Sequence, residues 1–172
     1  MGKYVMGGAV LVLAAAATVH AGAPPELERA AFLLGSWSGS GAGQPGEGSG
    51  EAEFVRGLQD RVILRRSHAE YPAAPGRAAF RHDDLMVIYP GAEGALRADY
   101  YDNEGHVIRY VVDVPAADRA VFVSEAAAGA PRFRLSYALE ATGVLRGQFE
   151  IAAPDAPQAF KPYLAWESRK KP

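Results

Sequence analysis

The sequence predicts an all-β protein, an antiparallel up-and-down β-barrel of about ten strands with a short N-terminal helix. Two observations carry this. From Ser36 onward, alternating apolar and polar segments are separated by turn signals at roughly 8–12-residue intervals. Connections between successive segments are short, which favours a meander over Greek-key crossings. A single closed sheet also leaves no free edge, which suits a chain that has no cysteine to staple one.

The first 21 residues are set apart from the domain. Lys3 supplies a positive start, Val5 to Val19 is an apolar run rich in Ala, and Val19-His20-Ala21 is a small-residue cleavage site. Together they read as a secretory signal peptide cleaved before Gly22. The apolar run is shorter than the ~20 residues a membrane span requires, so no stable membrane anchor is expected after cleavage. Residues 22–172 then form one domain, with a periplasmic or secreted location expected for a chain free of cysteine and of glycosylation sequons.

Pro24-Pro25 followed by Glu26 to Leu34 reads as the helix. Proline suits its first turn, Glu26 and Glu28 sit near the positive end of its dipole, and Gly35 ends it. Leu27, Ala30, Ala31 and Leu34 share one face, which must lie over something apolar. The first strand opens at Gly35 and Trp37, with Trp37 plugging one end of the barrel.

Glu51 to Leu58 and Arg61 to Tyr71 follow, split by a tight turn at Gln59-Asp60, and Pro72 to Arg81 reads as a loop. Asp84 to Tyr89 and Ala95 to Asp102 flank a Pro90-Gly91 turn. Asp102-Asn103-Glu104-Gly105 is a hairpin turn leading into Val107 to Val114. Arg119 to Glu125 comes next, and then Arg132 to Glu140, the cleanest alternation in the chain. There Phe133, Leu135, Tyr137 and Leu139 point one way, opposite Arg132, Arg134, Ser136 and Glu140. Val144 to Ile151 matches it with Leu145, Phe149 and Ile151. A Pro-rich link leads to the last strand, Tyr163 to Arg169.

Charge excludes one class of partner. A net charge of −2 leaves no basic excess to hold a phosphate backbone, so nucleic acid is not a partner of this chain. No Gly-x-Ser-x-Gly elbow and no phosphate-cradling glycine loop before a helix occur, and no catalytic residue is assigned. His82-Asp83-Asp84 offers hard ligands, but adjacent residues on a strand face opposite ways, so no metal site is assigned either.

At Gly35-Ser36-Trp37, followed by Gly39, Gly41 and Gly43, the chain resembles a lipocalin-like (calycin-type) barrel. More closely, it resembles the nitrobindin-like and related exported lipocalin-like barrels whose first strand reads Gly-x-Trp-x-Gly-x-Gly. The motif covers about ten residues, and the meander of strands matches over most of the domain. The resemblance implies a barrel enclosing a small hydrophobic ligand, and an Arg stacked on the plugging Trp, here Arg169. In nitrobindins it implies haem held by a histidine near the C-terminus. This chain has no histidine after His106, and Gln44-Pro45 stands where nitrobindins carry Tyr-Pro.

The expected function is therefore non-catalytic binding of a small, largely apolar ligand inside the barrel, with no cofactor. One alternative is a haem-dependent enzyme using His68, His82 or His106. Another is a structural or interaction domain whose barrel is filled by its own side chains. Tyr100, beyond Leu96 and Ala98, and Tyr137, between Leu135 and Leu139, are candidate pocket walls with polar handles. Ala98 and Gly147 would leave space beside them, with Phe149 on the same interior. Arg66 and His68 share a strand face with Val62 and Leu64. If that face is inward, both are polar groups needing partners inside the barrel; the other reading turns them to solvent.

Overall fold

The computed structural model describes residues 22–172, so the leader expected at 1–21 lies outside the described residues. The chain opens with α1 (Pro25–Arg29) and a 3-10 turn (Ala31–Leu33). Ten strands follow: β1 (Gly35–Gly43), β2 (Gly48–Gly57), β3 (Val62–Tyr71), β4 (Phe80–Pro90), β5 (Leu96–Asp102), β6 (Val107–Ala116), β7 (Arg119–Ser124), β8 (Arg132–Leu139), β9 (Val144–Ala152) and β10 (Lys161–Lys170). Each pairs antiparallel with its sequence neighbours, and β1 pairs with β10 to close the barrel. The expected architecture is the observed one, down to strand number and order.

The helix differs in detail from a single run over Glu26 to Leu34. It breaks at Ala30 and continues as a 3-10 turn. The tighter period brings Leu27, Ala30 and Leu33 onto one face at three-residue spacing, and all three are fully buried. It also aims the Leu33 carbonyl at Trp37, whose Nε1 donates to it at 2.8 Å. Trp37 thus plugs the helix end of the barrel. Its cationic neighbour is Lys170, with Nζ 5.4 Å from the ring centroid, and not Arg169. The register explains this correction: Lys170 pairs with Trp37 and shares its inward side, whereas Arg169 pairs with Ser38 and points out.

The inward glycines of β1 and β2 are there because no side chain fits. A Cβ at Gly39 would lie 1.9 Å from the Glu167 carbonyl oxygen, and one at Gly50 would lie 2.2 Å from that of His68. The neighbouring backbone approaches so closely at these positions that only hydrogen is accommodated. β4 begins earlier than its apolar run suggests. Phe80 stacks on Tyr71 at 4.6 Å between centroids, and this anchors the first polar turn of the strand.

Inside, an aromatic belt crosses the barrel at mid-height. Tyr100, Tyr110, Phe122 and Tyr137 meet edge to face in sequence, at 6.5, 6.1 and 6.1 Å between centroids. Phe54 and Trp166 close onto Tyr137 from the other side, at 5.7 and 5.9 Å. The geometry is the one aromatic quadrupoles favour.

Trp166 also settles the fate of the expected gap at Gly147. A Cβ at Gly147 would meet the indole at 2.1 Å, so the space beside Tyr137 is occupied by Trp166. Gly147→Leu should therefore displace the indole and cost at least about 1–3 kcal/mol, the range for overpacking a core. A urea midpoint equal to wild type would show that the indole moves aside freely.

Candidate functional site

Burial along the inward faces is uneven, and this distinguishes the two ends of the barrel. Toward the helix end, Ile63, Ile88, Leu96, Ala120 and Leu145 are all at most 1% exposed. Toward the other end, inward side chains remain only partly buried: Tyr100, Ile108, Phe133, Phe149, Leu164 and Trp166. One end is closed by the helix and Trp37, and the opposite, less buried end, beyond the aromatic belt, is the mouth of the barrel.

The walls of the mouth differ. On β8 to β10 it is apolar: Phe133 stacks on Phe149 at 5.8 Å, and Tyr163 meets Phe149 edge-on at 6.1 Å. On β3 to β5 it is polar. Arg65 Nη2 donates to Asp84 Oδ2 at 3.0 Å and to Ser67 Oγ at 3.1 Å, and the Ser67 hydroxyl donates to the same Asp84 oxygen at 3.0 Å. The Arg65 and Asp84 side chains are 8% and 4% exposed. The guanidinium lies 6.0 Å from the Tyr137 ring centroid, so it reaches across the lumen toward β8.

His82, inward on β4, extends the polar wall to the rim. Its Nδ1 lies 2.7 Å from Glu104 Oε1 and its Nε2 lies 2.9 Å from the Tyr100 hydroxyl, each within hydrogen-bond distance. Asp102 ends β5 and caps the hairpin that follows. Its Oδ1 accepts from the backbone N–H groups of Glu104 and His106 at 3.0 and 2.9 Å. Its Oδ2 faces His106 Nδ1 at 2.9 Å and the Tyr100 hydroxyl at 3.3 Å. The turn sequence Asp102-Asn103-Glu104-Gly105 thus serves two ends: it reverses the chain and fixes a carboxylate on the inner wall.

Electrostatics follow from this packing. Burial opposes the Arg65 charge, but the Asp84 carboxylate and the surrounding tyrosines outweigh it, and the guanidinium is held above its ordinary value. Asp102 loses solvation, yet hydrogen bonds from His106 and Glu104 more than offset this and lower its pKa. Burial, reinforced by Asp84, raises Tyr100 well above the usual phenol range; burial also raises Tyr110, and pushes Tyr137 up to about 12. A tyrosine held neutral keeps its O–H as a hydrogen-bond donor and is a poor nucleophile.

These shifts have a measurable consequence. A phenol whose folded pKa exceeds its unfolded value of about 10 contributes stability that is whole below pH 10 and is lost as pH rises toward its folded value. The protein should therefore lose stability between pH ~10 and ~12, with tyrosinate absorbance appearing together with loss of near-ultraviolet dichroism. Tyrosinate forming fully in a still-folded protein would contradict the burial of the belt.

Of the residues singled out from the sequence, Tyr100, Tyr137, Ala98, Gly147 and Phe149 all face the interior. Ala98 is fully buried between Ile88 and Tyr110 in the register. Arg66 and His68 do not join them. The inward side of β3 carries Ile63, Arg65 and Ser67, because Arg65 pairs with buried Phe54 and Met86. Arg66 and His68 instead border an open outer depression of about 730 Å³, with Glu51, Arg81, Asp83 and Lys171. A second open depression, of about 1210 Å³, is lined largely by outward side chains such as Ser40, Ala42, Ser136 and Gln148. Among the described residues no group of three or more His, Asp or Glu is placed to hold a metal ion.

Arg65, Ser67, Asp84 and Asp102 are the wall residues that sequence reasoning misses. Asp102 had a usable signal: it lies two residues beyond Tyr100, and alternation puts both on one face.

No family model matches the chain, and no curated protein matches it. Among solved structures it is similar to a redesigned beta barrel at 11% identity, over 84% of this chain and 96% of that one, with a TM-score of 0.35. It is also similar to EF1p2_mFAP2b bound to DFHBI, at 10% identity over 84% and 98% of the two chains, with a TM-score of 0.32.

Proposed function

We propose that this protein binds a small, largely apolar molecule at the open end of its barrel and performs no chemistry on it. The observation that carries the reading is the row of inward aromatic side chains, Phe133, Phe149 and Trp166, left partly exposed at one end while the other end is sealed. Apolar surface of this kind, opposite a few placed polar groups, is the usual make-up of a small-molecule site. The aromatic belt moves the ligand from the centre of the barrel to its mouth.

The Gly-x-Trp-x-Gly-x-Gly strand, the plugging Trp37 and the meander support a lipocalin-like relation. The leader sequence supports export to a periplasm or beyond the cell, where such a binder meets its ligand. The reading needs no haem: His82 and His106 are engaged by Glu104, Tyr100 and Asp102, and His68 faces outward.

Fluorescence titration with N-phenylnaphthylamine tests this. Wild-type protein should enhance its emission saturably, and Phe133→Ala should weaken binding about tenfold by removing one face of the aromatic stack. No saturable enhancement with wild-type protein would sink the binding function.

A further inference from the structure

The polar wall of the mouth is unbalanced in charge, and this bears on what the mouth admits. Its inward charged groups are one guanidinium, Arg65, and two carboxylates, Asp84 and Asp102. Glu104 stands behind them on His82. Arg65 is already neutralised: Asp84 and Ser67 take its Nη2. Asp102 keeps its charge, because its pKa is lowered, and the side chain is only 3% exposed. The two side chains of the ion pair are each more than nine-tenths buried, and each retains a polar atom without a partner, Arg65 Nε and Asp84 Oδ1. Buried polar atoms of this kind are ordinarily satisfied by water or ligand.

We infer that the mouth selects a neutral or cationic ring-bearing molecule with a hydrogen-bond donor, and rejects organic anions such as fatty carboxylates. The inference rests on the binding function proposed above and specifies its ligand class. Ring faces lie against Phe133 and Phe149, while donor groups face the carboxylates of the opposite wall. An anion would need an uncompensated cation there, and the Arg65 charge is already compensated by Asp84, with its buried Nε–H left unpartnered. It would also approach the Asp102 carboxylate, the charge left over once Arg65 and Asp84 compensate each other, in a partly desolvated mouth where charge opposition is least screened.

Two probes with the same ring body test it. N-phenylnaphthylamine is neutral with one N–H donor, and anilinonaphthalene sulfonate adds a fixed negative charge. At neutral pH the amine should bind wild-type protein at least about tenfold more tightly than the sulfonate. Asp102→Asn should narrow that ratio by tightening the sulfonate, and added salt should do the same in the wild type by screening the wall. The salt series needs no variant, so a failure of Asp102→Asn to fold leaves the test intact. Equal binding of the two probes, or a ratio that neither salt nor Asp102→Asn changes, would overturn the charge selection while leaving the binding function standing. Binding of neither probe would remove both.

Discussion

Arg65→Met should destabilise the protein by about 3–5 kcal/mol at neutral pH, the cost of leaving one partner of a buried ion pair uncompensated. The substitution keeps most of the side-chain volume, so the loss reports charge rather than a cavity. Asp84 would retain Ser67 as a donor but lose its cation, with its side chain 4% exposed. The double variant Arg65→Met, Asp84→Leu should recover most of the loss, because well-packed apolar replacements of a buried pair are often neutral or better. Urea denaturation of the two single variants and the double variant gives the coupling between them. A single Arg65→Met variant within error of wild type would mean that Asp84 is hydrated, and that the wall is wetter than its burial indicates.

The second large effect is at the sealed end. Trp37→Ala should cost about 3–5 kcal/mol, the range for emptying a buried large aromatic site. Trp37 is 2% exposed, its indole N–H holds the Leu33 carbonyl, and Lys170 covers the ring. Losing it removes the surface on which the 3-10 turn rests, so Leu27 and Leu33 should also loosen. Trp37→Phe should cost less, since it keeps ring packing and forfeits the hydrogen bond. A Trp37→Ala denaturation midpoint matching wild type would show that the helix, without the indole, closes this end.

Much of this architecture is legible in the sequence because a half-buried strand writes its two faces as alternation. β8 and β9 show it directly, and Phe133, Leu135, Tyr137, Leu145 and Phe149 are assigned inward from it. β3 and β4 do not. Val62-Ile63-Leu64 and Leu85-Met86-Val87-Ile88 are continuous apolar runs, and an unbroken run carries no parity. A one-residue choice then decides whether Arg65 or Arg66 is inside. Only the pairing of Arg65 with Phe54 and Met86 makes that choice. Gly147 shows a different limit. Its face follows from alternation, but its neighbour Trp166 arrives through a Pro-rich link that sets no register, so the indole over it is not foreseeable. Reading Asp102-Asn103-Glu104-Gly105 only as a turn hides the carboxylate it presents to the lumen.

One end of the barrel is closed, and the other is the proposed entrance for a ligand. The two tryptophans of the sequence stand on either side of that distinction: Trp37 is buried under the helix, and Trp166 is partly exposed beside the belt. Acrylamide quenching of Trp37→Phe and Trp166→Phe variants, with and without N-phenylnaphthylamine, reads each indole alone. Trp166 should be quenched in the free protein and protected by the bound probe, while Trp37 should resist acrylamide in both conditions. Ready quenching of Trp37, or a Trp166 that the bound probe leaves as accessible as before, would contradict this assignment of the two ends.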